Sequence, residues 1–288
     1  MKTRAAGRAA ARAGGGEAEP PAYAELHCLS NFTFLRGASH PHELVEQADA
    51  LGYSALAITD ECSVAGAVRA HMAAKDRQVK LIIGSEFRLS CGLTFVALAI
   101  DRHGYARLCR LITRGRRAAE KGEYALTRAD LEAINPGQCF ILWLPGARPQ
   151  SQELRWLAER FPGRVRIGVE LLRAGTDGER LVTLQQIGAH CGVPLIASGD
   201  VHMHVRGRRR LQDALTAIRL NVPIAQVGSR LYANGERYLR ERARLQRLYP
   251  RELLEGSVEI AHGCHFCLDE LRYEYPGELV PAGETAAG

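Results

Sequence analysis

A chain of 288 residues, 46% of them apolar, can bury one sizeable core, and a single α/β barrel of about 200–250 residues fits within it. No apolar run approaches the roughly 20 residues of a membrane span, which excludes a spanning helix and points to a soluble, cytoplasmic protein. The net charge of +6 is mostly arginine and is clustered rather than spread.

The first sixteen residues, "MKTRAAGRAAARAGGG", hold four basic side chains and no acid, and Pro20 and Pro21 follow soon after. Serine is missing, so a basic disordered tail over residues 1–21 is expected rather than an organellar transit peptide. From there the runs Ala55–Thr59, Leu81–Gly84, Thr94–Ile100, Phe140–Leu144, Val165–Val169 and Pro194–Ala197 are short, apolar and largely bounded by Gly, Pro or polar residues, as buried parallel strands are. Helical patterns lie between them over Pro41–Leu51, Ser63–Asp76, Tyr105–Lys121, Gln152–Arg160 and Glu179–Cys191. The alternation predicts an α/β fold whose strands close, or nearly close, into a barrel. Beyond Asn221, Tyr238, Leu239, Arg242, Leu245 and Leu248 repeat at three and four, and Leu253, Val258 and Ile260 continue after Pro250, so a helical segment is expected over 221–288.

Polar residues fall at the C-terminal ends of these strands. His27 follows a short apolar run, Asp60 and Glu61 close the second strand, Glu86 follows the third, and Asp200 and His202 follow the last. In a parallel α/β barrel these ends carry the chemistry, because their loops converge without disturbing the core. Imidazole and carboxylate suit divalent cations such as zinc, manganese or magnesium, so His27, Glu61, Glu86, Asp200 and His202 are the candidate ligands.

The segments "HCLSNFTFLRGASHP", "LAITDECSVAG", "DRHGYARLCRLITRGRR", "IASGDVHMHVRGRRRLQDALTAIR" and "LDELRYEYPGELVPAG" resemble the PHP domain at the N-terminus of bacterial C-family DNA polymerases, most closely the error-prone branch. The resemblance runs from about Tyr23 to about Pro281 and implies a distorted (β/α)7 barrel over 22–220 followed by a short helical connector towards a palm. It implies a parent enzyme, a magnesium-dependent DNA-directed DNA polymerase of DNA replication and damage-induced translesion synthesis, with DNA, other polymerase domains and damage-response accessory proteins as partners. No paired-aspartate palm motif is present, so the chain by itself is expected to lack the polymerase site.

Position by position, the family's metal site is incomplete. His-x-His near the first strand is here His27, Cys28 and Leu29, the acid two positions on is Asn31, and Thr-Asp-His is Thr59, Asp60 and Glu61. Glu86 in "GSEF" and Asp200 and His202 in Asp-x-His match, while the thiol expected after the middle strand is absent from "LWLPG". Losing several ligands weakens metal binding steeply, so the barrel is expected to act as a scaffold. A metal-dependent phosphoesterase or 3′–5′ exonuclease is the alternative.

Two further features remain. Arg114, Arg116 and Arg117, and Arg208, Arg209 and Arg210, form clusters able to neutralise phosphates, which makes them candidates for contact with DNA or with neighbouring domains. The eight cysteines show no framework spacing and read as reduced thiols. His262-Gly-Cys264-His265-Phe-Cys267 has the spacing of half a zinc site, but no second pair is evident in the sequence.

Overall fold

The computed structural model describes residues 19–271, so most of the basic tail and the "RYEYPGELVPAG" segment lie outside the described residues. Strands β1 (Ala24–Glu25), β2 (Ala55–Ile58), β3 (Lys80–Arg88), β4 (Thr94–Ala99), β5 (Cys139–Trp143), β6 (Val165–Glu170) and β7 (Leu195–Ser198) form one sheet in the order of the sequence. Its two edges meet just past β1 and β7, where Leu29 N donates to Val201 O at 2.8 Å and Val201 N donates to His27 O at 2.9 Å. The result is a nearly closed seven-stranded barrel, in agreement with the expected α/β class.

One strand departs from the expected parallel set. β4 runs antiparallel to both of its neighbours. β3 continues to Arg88, past the end of its apolar run, and leaves only Leu89–Leu93 before β4. A parallel return needs about a dozen residues or more, so this connection can only be a hairpin; Gly92, at φ +91°, makes its turn.

The helices are α1 (Pro41–Ala50), α2 (Ala67–Ala74), α3 (Arg102–Arg117), α4 (Arg128–Ile134), α5 (Ser151–Arg160), α6 (Asp177–Cys191), α7 (Arg209–Arg219), α8 (Ile224–Val227), α9 (Arg242–Gln246) and α10 (Arg251–Gly263). Strand residues alternate between two buried layers, which is why the strands read as continuous apolar runs. Ala24, Ala55, Ala57, Ile82, Val96, Leu98, Leu142 and Ile196 fill the lumen, while Leu56, Ile58, Ile83, Phe95, Ile141 and Ile167 pack with the helix layer. The lumen is tight: a Cβ on Gly84 would stand 2.8 Å from the Ala97 carbonyl oxygen.

The segment after Asn221 packs on this barrel. The helical repeat expected through Tyr238–Leu248 forms only at α9, because residues 236–240 lie extended beside 201–203, with Tyr238 bridging Met203. His202 N and Met203 N both donate to Arg237 O, at 3.0 and 3.2 Å. Tyr249 Oη donates to Ser198 O at 2.8 Å and accepts from Leu171 N at 2.9 Å. In α10, Ser257 Oγ accepts from Ala24 N at 3.1 Å, and Ile260, Ala261 and Cys264 join the lumen core. The expected connector therefore contributes backbone at the mouth and a plug at the opposite end.

Candidate functional site: the barrel mouth

Closure of the sheet brings the ends of β1, β3, β6 and β7 together. His27 is 2% exposed and stands between two carboxylates, its Nε2 2.8 Å from Glu86 Oε2 and its Nδ1 2.9 Å from Glu170 Oε1. Asp200 Oδ1 lies 3.8 Å from the same Nδ1. His27, Glu86 and Asp200 thus form a group whose ligand atoms lie within 4.8 Å of one another.

Cations from the protein already serve these acids. Arg36 donates through Nη1 to Glu86 Oε1 at 2.7 Å and through Nη2 to Oε2 at 3.3 Å, and it also pairs with Glu61. Arg237 pairs with Asp200 and lies over the Tyr232 ring, 4.4 Å from its centroid. Four carboxylates, Glu61, Glu86, Glu170 and Asp200, are met by His27, Arg36 and Arg237.

The arginine arrives by a built loop. Asp60 is buried and does not face the cluster; its carboxylate accepts from Ser30 N at 2.8 Å, Ser30 Oγ at 2.8 Å and Thr33 Oγ1 at 2.7 Å. Thr33 O in turn accepts from Arg36 N at 3.0 Å. Leu35 sits at φ +58°, and Gly37 presses so closely on Ser30 that a Cβ there would lie 1.9 Å from its carbonyl oxygen. The turn is fixed, and it aims Arg36 inward.

The protonation pattern follows from this geometry. Burial alone would lower the His27 pKa, but its two carboxylate partners outweigh burial and raise it to about 9. Since carboxylates only accept, a ring held between two of them carries both protons. Burial opposes ionisation of Glu86, yet Arg36 and His27 hold it well below the usual carboxylate range. Glu170 is likewise lowered, by His27 and then Arg237, against its burial. His202 is different: burial and then Arg36 and His27 push it well below the ordinary imidazole value. It is a neutral ring, with Nε2 2.9 Å from Asp200 Oδ1 and Nδ1 2.9 Å from Gln212 Nε2.

Of the five candidate ligands, His27, Glu86 and Asp200 are brought together, Glu61 reaches them through Arg36, and His202 stands behind Asp200. Arg36, Glu170 and Arg237 are the members that sequence reasoning missed. Glu170 had a signal, since it is the polar residue closing the Val165–Val169 run; Arg36 lay inside a matching segment, and Arg237 lay in the stretch read as connector.

A multi-ion hydrolytic centre needs free lone pairs pointing at a common space. Here both His27 nitrogens and the Glu86 oxygens are engaged within the protein. The donor set does not fit such a centre, because guanidinium and imidazolium groups supply the positive charge that bound ions would supply.

Beside the mouth opens a cleft of about 760 Å³ lined by Phe34, Glu61, Arg88, Arg116, Tyr124, Arg219 and Tyr232. Phe34 is 81% exposed at its rim. Much of the two arginine clusters is engaged locally: Arg114 pairs with Asp130 at 2.6 Å, Arg116 donates to the carbonyls of Cys62 and Glu61 at 3.1 Å each, Arg208 pairs with Glu43, and Arg209 pairs with Asp213 at 2.7 Å. Arg117 and Arg210 are exposed. No helix among the described residues is long and apolar enough to cross a membrane.

Residues 25–141 match the PHP domain family. The error-prone DNA polymerase of Dechloromonas aromatica is 58% identical over 271 residues, covering 93% of this chain and 26% of that protein. That of Methylococcus capsulatus is 60% identical over 264 residues, covering 92% and 25%, and that of Pseudomonas aeruginosa 54% over 266 residues, covering 92% and 26%. The chain spans about a quarter of the length of the curated relatives it matches. It carries a PHP domain and, over nearly its whole length, matches the N-terminal part of error-prone DNA polymerases.

Proposed function

We propose that this chain serves as a non-hydrolytic barrel scaffold within an error-prone DNA polymerase that acts in replication and damage-induced synthesis. The observation that carries this reading is the placement of Arg36 and Arg237 among the acids of the mouth, with the His27 ring held between Glu86 and Glu170. A hydrolytic PHP centre activates water on bound ions; an arginine-filled mouth has charge balance without them. The polymerase reaction itself, its magnesium and its DNA belong to the whole protein. Within the whole, the basic and aromatic cleft beside the mouth, with Arg88, Arg219 and Phe34, suits a single strand's phosphates and bases.

The test is hydrolysis of a phosphodiester and of a single-stranded DNA 3′ end by the purified chain, with manganese or zinc supplied. Turnover at the level of the reagent blank is expected. Turnover that disappears in Asp200→Asn would replace the scaffold by the phosphoesterase reading.

A further inference from the structure

At the end of β3 opposite Glu86, a side chain of α2 and two from the turn after α10 converge on the outer surface. His71 on α2 places Nε2 3.0 Å from Asp269 Oδ1, and Cys267 places Sγ 3.6 Å from Asp269 Oδ2. All three ligand atoms lie within 4.8 Å of one another. We propose that His71, Cys267 and Asp269 form a zinc site that fastens the chain leaving α10 to the barrel.

The spacing is what coordination requires. With zinc–sulfur bonds of about 2.3 Å and zinc–nitrogen or zinc–oxygen bonds of about 2.0–2.2 Å, adjacent ligands of a tetrahedron stand about 3.3–3.6 Å apart. The two contacts, 3.0 Å to Asp269 Oδ1 and 3.6 Å to its Oδ2, are made by different carboxylate oxygens, and one ligand atom from each residue lies within 4.8 Å of the others, so an ion enters once the carboxylate turns one oxygen towards both partners and the three ligands draw in. Thiolate, imidazole and carboxylate together select a borderline cation over magnesium or calcium.

The turn carrying two of the ligands is held in place independently of them. Phe266, 5% exposed, packs in the core and stacks on Tyr105 with centroids 4.5 Å apart, and Cys267 N donates to Glu270 Oε1 at 2.7 Å. His71 comes from a helix, with a side chain only 15% exposed. Such support keeps ligands in position before the ion arrives. A cavity of about 290 Å³ borders all three and is also lined by His265, which leaves room for water or this second imidazole in the fourth position. The half-site spacing seen in the sequence thus has its distant partner in His71, through Cys267 alone, since Cys264 is buried in the lumen core.

The chain stripped with chelator and titrated with cobalt(II) tests this. Saturation at one equivalent is expected, with the visible bands of a tetrahedral ion and a near-ultraviolet thiolate-to-cobalt band, both removed by added zinc. Cys267→Ser should abolish the thiolate band and, like His71→Ala, weaken binding about ten-fold or more. Cys91→Ser, at the other exposed thiol among the described residues, should change neither. Far-ultraviolet circular dichroism confirms that each variant is folded. Absence of saturable uptake, or a thiolate band that survives Cys267→Ser, overturns the proposal.

Discussion

The two clusters of potential metal ligands in this molecule differ in where the balancing charge comes from. At the mouth, His27, Glu86 and Asp200 are all buried, and their charge is settled by Arg36 and Arg237 on built segments. On the outer surface, His71, Cys267 and Asp269 are half-buried or exposed, and the nearby cation is the Lys75 ammonium, 3.6 Å from Asp269 and 47% exposed. Ligand atoms within reach of one another are therefore a poor guide taken alone. What matters is whether the cation already present can leave, and a largely buried guanidinium with two carboxylate partners cannot leave cheaply.

Replacing Arg36 breaks the comparison most directly. Arg36→Met leaves Glu86 charged and 2% exposed with only His27 to answer it, and Glu61 loses its cation and keeps the Tyr124 hydroxyl. Removal of one member of a buried ion pair costs about 3–5 kcal/mol; Arg36, at 17% exposure, should fall at the lower end, near 3 kcal/mol in urea unfolding. Manganese or zinc should recover part of that loss in the variant and raise its Tm more than the parent's. Equal metal effects on both proteins would show that Arg36 does not stand in for an ion.

How much of this was legible beforehand follows from the physics of each part. The strand ends carrying His27, Glu86 and Asp200 were readable because buried parallel strands are continuous apolar runs, and an ionisable residue within three positions of the end of each run marks the mouth. The antiparallel β4 was not, since β3 continues through Ser85, Glu86 and Phe87 after the apolar run stops, and only that extension shortens the loop to hairpin length. Arg36 and Arg237 were not legible as site residues either. One depends on a turn set by Asp60 and a positive φ at Leu35, the other on residues 236–240 running beside 201–203 rather than as helix. His71 and Cys267 are 196 positions apart and meet only because α10 crosses beneath the barrel.

The charge state of the mouth gives a second handle. Folded His27 keeps its proton up to about pH 9, whereas an unfolded imidazole releases it near 6.5. The stability this proton confers is complete below about pH 6.5 and is lost as pH rises through about 9, on the order of 2 kcal/mol once residual screening is allowed for. The depressed Glu86 and Glu170 act in the opposite sense, stabilising above the ordinary carboxylate range and ceasing to as pH falls through their folded values. Urea midpoints should therefore be flat between about pH 5 and 6.5 and decline towards 9. His27→Gln should remove the alkaline decline. A parent profile that stays level to pH 9 would mean that the ring is neutral and the two carboxylates are not balanced by it.

The smallest effect tests the other side. If the outer cluster accepts an ion because its resident cation is mobile, removing that cation should matter little. Lys75 is 3.6 Å from Asp269 and half-exposed, so solvent screens the pair and the ammonium can swing aside when an ion binds. Lys75→Met should tighten cobalt(II) binding only a few-fold, about three, by sparing the ion that displacement and a like charge nearby. The same substitution should leave the pH profile of the mouth unchanged, because α2 contributes no ligand there. A gain of a hundred-fold or more would make Lys75 as effective a block as Arg36, and the distinction between buried and exposed cations would no longer explain why one cluster is closed to metal and the other open.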